Sequence, residues 1–216
     1  MTLPLRTLAD AAAAAPTVRA HLETGGLIAY PTETVYGLGS APTVGALDAL
    51  AALKGRPPRK PFLLLVSSLA MVEEVGLVMT ASARILAREF WPGPLTLVLR
   101  GGEGRLPDRL RGPEGGIAVR WTGLAPLAAL IGAVGAPITS TSANRPGERT
   151  APGIAAIEST FGAAIADGSL LLLDGGVLGN VPPSTLVDCT SPVPRLIRDG
   201  AIPRAELRRR AGSGAP

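Results

Sequence analysis

Apolar residues recur along the chain with two different periods, which predict strands alternating with helices. Short apolar runs that end in turn residues are typical of buried strands. Such runs occupy GGLIAY (25–30), FLLLVSS (62–68), PLTLVLRG (94–101), GGIAVRW (115–121), SLLLLDGG (169–176), STLVDCT (184–190) and PRLIRDGAI (194–202). The first run breaks at Pro31 and leads into a loop rich in hydroxyl groups and glycine.

Helical spacing of apolar residues predicts the segments between these strands to be helices. The segments are TVGALDALAALKGR (43–56), LAMVEEVGL (69–77), TASARILAREF (80–90), LAPLAALIGAVG (124–135) and PGIAAIESTFG (152–162). Thr43 suits an N-cap, which puts the KGR sequence at the C-terminal end of its helix. The last residues, 204–216, predict a short basic helix that frays into a flexible end.

The alternation, with no repeat and no long linker, predicts one α/β domain. We expect a twisted mixed sheet with flanking helices over residues 9–205, and a basic, flexible tail at 206–216. In such sheets ligands usually bind at strand ends and in the loops that follow them. We therefore expect the polar clusters of the chain to converge on one basic, concave cavity. These clusters lie at 31–37, 54–60, 139–150 and 184–185.

Composition narrows the class of protein. The 216 residues are 46% hydrophobic and 18% charged, which allows a large core. No apolar run reaches the length of a membrane span, and the N-terminus lacks the pattern of a signal peptide. The single cysteine, Cys189, excludes an internal disulfide and is typical of a reducing compartment. We expect a cytoplasmic protein in which Cys189 is a core residue without chemistry.

Charge and rare residue types exclude several functions. A net charge of +4 allows a polyanionic partner, but only 3% of the residues are aromatic, which disfavours a general single-strand nucleic-acid binder. His21 is the single histidine and lies in an Ala- and Leu-rich helical stretch, so we interpret it as structural. Zinc sites and histidine-based triads need partners that the chain lacks.

Both lysines of the chain, Lys54 and Lys60, lie in KGRPPRKP (54–61), among 21 cationic residues that are otherwise arginine. Neither a Walker motif nor a G-x-G-x-x-G turn is present, so a nucleotide would need other phosphate donors. Lys54, Arg56, Arg59 and Lys60 are candidates, since an ammonium is a compact charge and the intervening prolines limit the chain's freedom. A solvated charged loop is the competing interpretation, which the clustering of both lysines disfavours.

Hydroxyl groups form the second candidate feature. Ser140, Ser142 and Asn144 alternate and would share one face of an extended segment, with Thr139 and Thr141 on the other. The alternative is an ordinary turn cluster that closes a strand.

Two further features suit a small polar ligand. The turn PTETVYG (31–37) offers Thr32, Glu33, Thr34 and Tyr36 to a metabolite, or is a plain loop. Arg120 ends an apolar strand, where it would clamp a carboxylate or form a salt bridge.

Taken together, these motifs resemble the YrdC-type threonylcarbamoyl-AMP synthases over residues 9–205. The motifs are YPTETVYGLG, KGRPPRKP, FWPGPLTLVL, IAVRW, TSTSAN, STLVD and LIRDGAI. The resemblance implies synthesis of L-threonylcarbamoyl-adenylate and pyrophosphate from L-threonine, bicarbonate or CO2, and ATP accompanied by Mg²⁺. It also implies tRNA and downstream tRNA-modification proteins as partners, because the product feeds the threonylcarbamoyladenosine modification. It implies no metal ligands on the protein.

The resemblance also assigns residue roles. It implies an ATP-binding set of Lys54, Arg56, Lys60, Ser142, Asn144, Thr150 and Arg198, in which Lys54 and Arg56 are catalytic. It implies a threonine-binding set of Thr34, Arg120, Ser140 and Ser184, with Arg120 on the carboxylate. Thr32, Thr141 and Thr185 are near neighbours in the same motifs.

The chain departs from the family pattern in three places. Many relatives carry R-x-P where this chain has Arg120-Trp121-Thr122, so we expect the loop after Arg120 to differ. KPFLLLVS (60–67) lacks a histidine found in some longer relatives, and we expect the stand-alone form without their extra domain. Two rival functions remain: a module of this fold that binds structured RNA without synthase activity, and a carbamoyl-transfer module of the hydrogenase-maturation type.

Overall fold

The computed structural model describes residues 1–55, 60–212 and 215–216, and eleven strands of these residues form one mixed sheet. The strands are β1 Thr2–Pro4, β2 Leu27–Tyr30, β3 Gly37–Ser40, β4 Leu63–Val66, β5 Leu77–Val78, β6 Leu95–Gly101, β7 Ile117–Trp121, β8 Ile138–Ser142, β9 Leu170–Asp174, β10 Thr185–Asp188 and β11 Arg195–Arg198. Their order is β1-β9-β2-β3-β8-β4-β7-β6-β10-β11, and β5 pairs with β6. The prediction of a twisted mixed sheet in one α/β domain is confirmed.

Helices pack on this sheet and on each other. They are α1 Leu8–Glu23, α2 Val44–Lys54, α3 Leu69–Glu74, α4 Ala81–Phe90, α5 Ala125–Val134, α6 Ile154–Ala166 and α7 Arg204–Ala211. Each helix predicted from apolar spacing is present. Thr43 caps α2 by accepting a hydrogen bond from the Ala46 amide, and Gly55 ends the helix in the left-handed conformation. Within the described ranges, no helix combines the length and apolarity that a bilayer crossing demands.

The sequence interpretation misses β3. It predicts residues 31–40 as one loop, whereas Gly37–Ser40 returns antiparallel beside β2, with Ile28 opposite Gly39. Two glycines among four residues conceal this strand, because glycine has no β propensity. Here glycine is required for close packing: a Cβ on Gly39 would stand 2.1 Å from the Thr139 carbonyl oxygen and 2.9 Å from the Tyr30 ring.

The short basic helix predicted within residues 204–216 is present as α7. It packs on α4 and so joins residues 206–211 of the predicted tail to the domain. Leu207 is fully buried, and the Arg210 guanidinium lies 4.4 Å from the centroid of the Phe90 ring. Apolar burial and a cation–π contact therefore attach this basic helix to the domain.

We predict that Gly39→Ala lowers the free energy of unfolding by about 1–3 kcal/mol, because backbone atoms must move to accept the methyl group. Urea denaturation of the purified protein measures this change. Gly45→Ala is the matched control, since a Cβ at this position would meet no atom within 4 Å and α2 favours alanine, for a gain of up to about 1 kcal/mol. Equal effects of the two substitutions would contradict the packing argument.

Candidate functional site

A cavity of about 410 Å³ opens on one face of the sheet. Its walls come from β3, β4, β6, β7, β8, β10 and β11, from the turn after β2, and from segments that flank the strands. The lining residues are Thr32, Thr34, Val35, Gly37, Lys60, Pro61, Leu63, Thr96, Ala118, Arg120, Ser140, Thr141, Ser142, Thr150, Pro183, Ser184, Leu186 and Arg198. The polar clusters thus converge on one cavity, as predicted from the sequence.

The position of the cavity differs from the expected one. Ala118 and Arg120 of β7 are two residues apart and therefore project from the same face of the sheet. Across the strands, Leu63 pairs with Ser140 and Gly37 with Ser142, and all four line the cavity. The floor of the cavity is therefore the sheet face itself, and only part of the wall comes from strand ends.

The turn after β2 is held by the hydroxyl of Thr32. This oxygen accepts hydrogen bonds from the amides of Thr34 and Val35, both at 3.1 Å, and donates to the Val35 carbonyl at 2.7 Å. The hydroxyl oxygens of Thr32 and Thr34 lie 3.0 Å apart and both residues are buried. A turn fixed in this way presents two ordered hydroxyl groups to the cavity.

Arg120 is nearly fully buried at the end of β7. Its Nη1 contacts the Thr34 hydroxyl at 3.4 Å, and its Nε lies 3.9 Å from Oε1 of Glu33. Glu33 does not line the cavity and is held from behind by the Thr122 hydroxyl, which donates to Oε2 at 2.7 Å. A guanidinium at this position suits a carboxylate ligand, because its planar fork forms two parallel hydrogen bonds.

Lys54 joins the C-terminal end of α2 to the end of β8. Its ammonium donates to the Ser142 carbonyl, to the Asn144 carbonyl at 2.8 Å and to Asn144 Oδ1 at 2.8 Å. Ser142 Oγ in turn donates to Asn144 Oδ1 at 2.6 Å. The structure therefore brings Lys54, Ser142 and Asn144 together, although Lys54 and Asn144 stand behind the cavity wall rather than in it.

Arg198 approaches the cavity from β11. Its Nη2 donates to the Ser184 carbonyl at 2.8 Å, and burial, with a smaller contribution from the charge of Arg120, lowers the pKa of its guanidinium. The Ser184 hydroxyl lies 2.8 Å from that of Thr96, which is also buried and lines the cavity. Two guanidinium groups close enough to repel each other favour an anion between them.

A second cavity of about 700 Å³ shares Thr34, Val35, Thr150 and Pro183 with the first. Its other walls are residues 149–152 and the segment 178–182 that links β9 to β10. The two cavities together offer room for a ligand larger than an amino acid. The four shared residues mark the junction of the two cavities.

Some residues of the polar motifs do not follow the sequence expectations. Thr141 is expected to face away from Ser140 and Ser142, but it lines the cavity together with them. Thr185 is absent from the wall: its buried hydroxyl donates to the Ile202 carbonyl and accepts from the Ile202 amide, which is a structural role. Arg56 and Arg59 lie outside the described residues.

The sequence analysis does not identify Thr96 as a residue of the cavity wall, and it assigns no structural role to Tyr36. A lone hydroxyl residue in the apolar run LTLVL is the available signal for Thr96. Tyr36 is fully buried; its hydroxyl donates to the Gly176 carbonyl at 2.8 Å and accepts from the Gly175 amide at 2.9 Å, so it anchors the start of the segment that borders the second cavity.

The charged side chains that line the main cavity are all cationic among the residues that the structure describes. Its described lining residues include Lys60, Arg120 and Arg198 but no Asp, Glu, His or Cys. Among the described residues, no group of three or more such side chains has the arrangement of a metal site.

Cys189 is buried, which raises the pKa of its thiol to about 12 and leaves it unreactive. His21 contacts the Leu27 carbonyl through Nε2 at 2.8 Å, away from the cavity.

Fold and site define a class: an α/β protein with a cationic, hydroxyl-lined cavity on its sheet that is suited to a small anionic ligand. The Sua5/YciO/YrdC family model, described as telomere recombination, matches residues 20–200. The chain belongs to this family.

Individual relatives agree with this assignment. A threonylcarbamoyl-AMP synthase of Thiobacillus denitrificans is 38% identical over 81% of this chain and 90% of its own length. The crystal structure of Pyrococcus abyssi Sua5 complexed with L-threonine superposes with a TM-score of 0.85 at 30% identity, covering 99% of this chain and 61% of that one. Escherichia coli YciO gives a TM-score of 0.76 at 25% identity, covering 93% of both chains. This chain therefore spans about three fifths of the Pyrococcus protein.

We predict that Lys54→Met lowers the free energy of unfolding by about 1–3 kcal/mol, because buried carbonyl oxygens lose a charged donor. Amide hydrogen exchange should also accelerate at residues 142–151, which the ammonium holds. Arg84→Met is the control: Arg84 is an exposed cation whose ion pair with Glu73 spans 3.9 Å, so a change near zero is expected. Unchanged exchange at 142–151 in Lys54→Met would show that this segment does not depend on the ammonium.

Proposed function

We propose that this protein is an L-threonylcarbamoyladenylate synthase, which converts L-threonine, bicarbonate or CO2, and ATP into threonylcarbamoyl-AMP and pyrophosphate. The observation that carries the proposal is the convergence of Arg120, Ser142 and Arg198 on one cavity whose described lining has no acidic side chain. Family membership and relatives named for this activity support the same conclusion.

The nucleotide side of the site would combine residues around β8 with Arg198, which reaches the cavity from β11. Lys60, Ser142, Thr150 and Arg198 line the cavity, and Lys54 and Asn144 stand directly behind Ser142. Charge-assisted hydrogen bonds from such groups contribute about 1.5–3 kcal/mol each, enough for a few to hold a triphosphate. Arg56, which lies outside the described residues, is proposed as a further triphosphate ligand and, with Lys54, as a catalytic residue.

The amino-acid side would be the end formed by the turn after β2 and by β7. Arg120 would bind the threonine carboxylate through two parallel hydrogen bonds from its guanidinium. Thr34, Ser140 and Ser184 would form hydrogen bonds with the other polar groups of threonine. The L-threonine complex of the Pyrococcus relative supports an amino-acid ligand for this cavity. Thr32, Thr96 and Thr141 add hydroxyl groups to the same wall.

The chemistry needs positioning rather than a protein nucleophile. The free amine of threonine attacks the carbon of CO2, an N–C bond forms, and the amine proton leaves to solvent to give a carbamate. A carbamate oxygen then attacks the α-phosphorus of ATP, and the bond to the β-phosphate breaks with its electron pair on the departing pyrophosphate. Lys54, Lys60 and Arg198 would stabilise the charge that develops on the phosphate oxygens, and the ordered hydroxyls would hold the reacting groups in line.

Mg²⁺ is proposed to accompany ATP. The described cavity wall offers neutral hydroxyl oxygens and no carboxylate, a donor set that fits a cation held mainly by phosphate and water. When bound, the ion would neutralise part of the triphosphate charge. Ser142 and Thr150 are the wall residues whose hydroxyl groups would complete its environment.

The proposed product would be consumed by a transfer to tRNA, in the cytoplasm, with downstream tRNA-modification proteins as partners. A structured-RNA module without synthase activity explains the net charge of +4 but not a cavity with a clamp for a carboxylate. A carbamoyl-transfer module is less favoured, because the hydrogenase-maturation protein HypF is 17% identical and shares the fold alone.

Pyrophosphate release tests the proposed reaction. We expect release from ATP and Mg²⁺ only when both L-threonine and bicarbonate are present, together with a product that has the mass of threonylcarbamoyl-AMP. Each omission mixture is a control. Equal release in all mixtures would reject the synthase function, and RNA affinity that falls steeply with salt in an inactive protein would favour the RNA module.

Arg120→Ala tests the assignment of the amino-acid side. We expect the dissociation constant for L-threonine to rise about 10- to 100-fold, which corresponds to one charge-assisted interaction, with ATP affinity nearly unchanged. Calorimetric titration measures both constants. Arg100→Ala is the matched control, since Arg100 also lies in a strand but is exposed and contacts the Thr190 carbonyl. Loss of ATP affinity with threonine affinity retained would assign Arg120 to the nucleotide instead.

A further inference from the structure

We propose that Glu33 and Thr122 act as a positioning pair that orients Arg120 for its substrate. The inference rests on the proposed function only for the identity of the ligand, the threonine carboxylate. Neither residue lines the cavity in the part of the chain that the structure describes, so both would act through Arg120.

Two buried atoms of this cluster face each other without a hydrogen bond. Nε of Arg120 and Oε1 of Glu33 have no hydrogen-bond partner among the described residues, and they lie 3.9 Å apart as an ion pair. The side chains are 4% and 17% exposed, so water does not replace the missing bonds. An unpaired buried charge is strongly unfavourable, and each group is therefore the principal compensation for the other.

Thr122 fixes the carboxylate of Glu33. The Thr122 hydroxyl accepts a hydrogen bond from the Leu124 amide at 3.3 Å, which directs its own proton to Oε2 of Glu33 at 2.7 Å. Thr122 is fully buried at the start of the link between β7 and α5. With Oε2 held, Oε1 is the carboxylate oxygen that faces Arg120. Position 122 is also where this chain departs from the R-x-P pattern.

The consequence for the site is directional. Glu33 contacts the Nε edge of the Arg120 guanidinium, so the terminal nitrogens remain available for a ligand in the cavity. One of them, Nη1, already contacts the Thr34 hydroxyl. The negative charge of Glu33 also opposes the repulsion that Arg120 and Arg198 exert on each other. The pair thus stabilises a charged guanidinium in one orientation before the substrate arrives, which reduces the ordering cost of binding.

Steady-state kinetics of three single variants tests the pair. Thr122→Val removes the hydroxyl at nearly constant volume, and we expect the KM for L-threonine to rise about 2- to 10-fold, the range of one hydrogen bond. Glu33→Gln should raise it about 10-fold or more, because a charge is lost. For both variants we expect kcat and the KM for ATP within about 2-fold of wild type. Thr122→Ser is the matched control: it keeps the hydroxyl group, so its KM for L-threonine should equal that of the wild type.

A double-mutant cycle separates positioning from general stability. Arg120→Ala removes the guanidinium on which the pair acts, so adding Glu33→Gln to it should raise the KM for L-threonine no further. Additive effects, a wild-type KM in Thr122→Val, or an equal rise in both KM values would overturn the pair. Calorimetric titration of L-threonine with the folded variants gives the same comparison independently of turnover. A wild-type protein that binds no threonine and releases no pyrophosphate would instead reject the proposed function.

Discussion

Positive charge buried on one face of the sheet is the constraint around which the structure is built. Lys54 and Arg120 are buried and Arg198 is more exposed, and each is held by oxygen atoms that the fold supplies. Lys54 donates to the carbonyls of residues 142 and 144, Arg198 to the carbonyl of residue 184, and Arg120 faces Glu33. Without these oxygens the desolvation of the two buried cations, Lys54 and Arg120, would oppose folding. The site and the fold are therefore stabilised by the same contacts.

Sheet topology explains why these contacts form. β8 lies between β3 and β4, so the end of one central strand meets the glycines of β3 on one side and Leu63 on the other. The absence of a side chain on Gly39 of β3 leaves room for the Tyr30 hydroxyl to donate to the Thr139 carbonyl at 2.8 Å. Strand pairing thus brings segments that are distant in the sequence to one face of the sheet. The register of the pairing determines which side chains point to that face.

Local patterns in the sequence predict the strands and helices well, because apolar period and caps such as Thr43 are short-range signals. The convergence of polar clusters also follows from the α/β class. Several features do not follow, among them the short strands β1 and β5, which are not among the predicted strands. The strand at 37–40 has glycine where a propensity signal would be, and the contacts of Glu33 with Arg120 and Thr122 join segments 87 and 89 residues apart through side-chain rotamers. Whether Thr185 or Thr96 faces the cavity likewise depends on register, which apolar period alone leaves undetermined.

The compensation of the positive charge differs between Arg198 and Arg120, and the difference matches the proposed ligands. Arg198 contacts a neutral carbonyl and forms no ion pair with the residues that the structure describes, so its net charge is available to a triphosphate. Arg120 is balanced by Glu33, so the pair is neutral overall and binds a carboxylate mainly through directed hydrogen bonds. A zwitterionic amino acid carries little net charge, whereas a triphosphate carries several negative charges. An uncompensated cation close to an oriented, neutral ion pair would therefore discriminate the two proposed ligands by electrostatics as well as by shape.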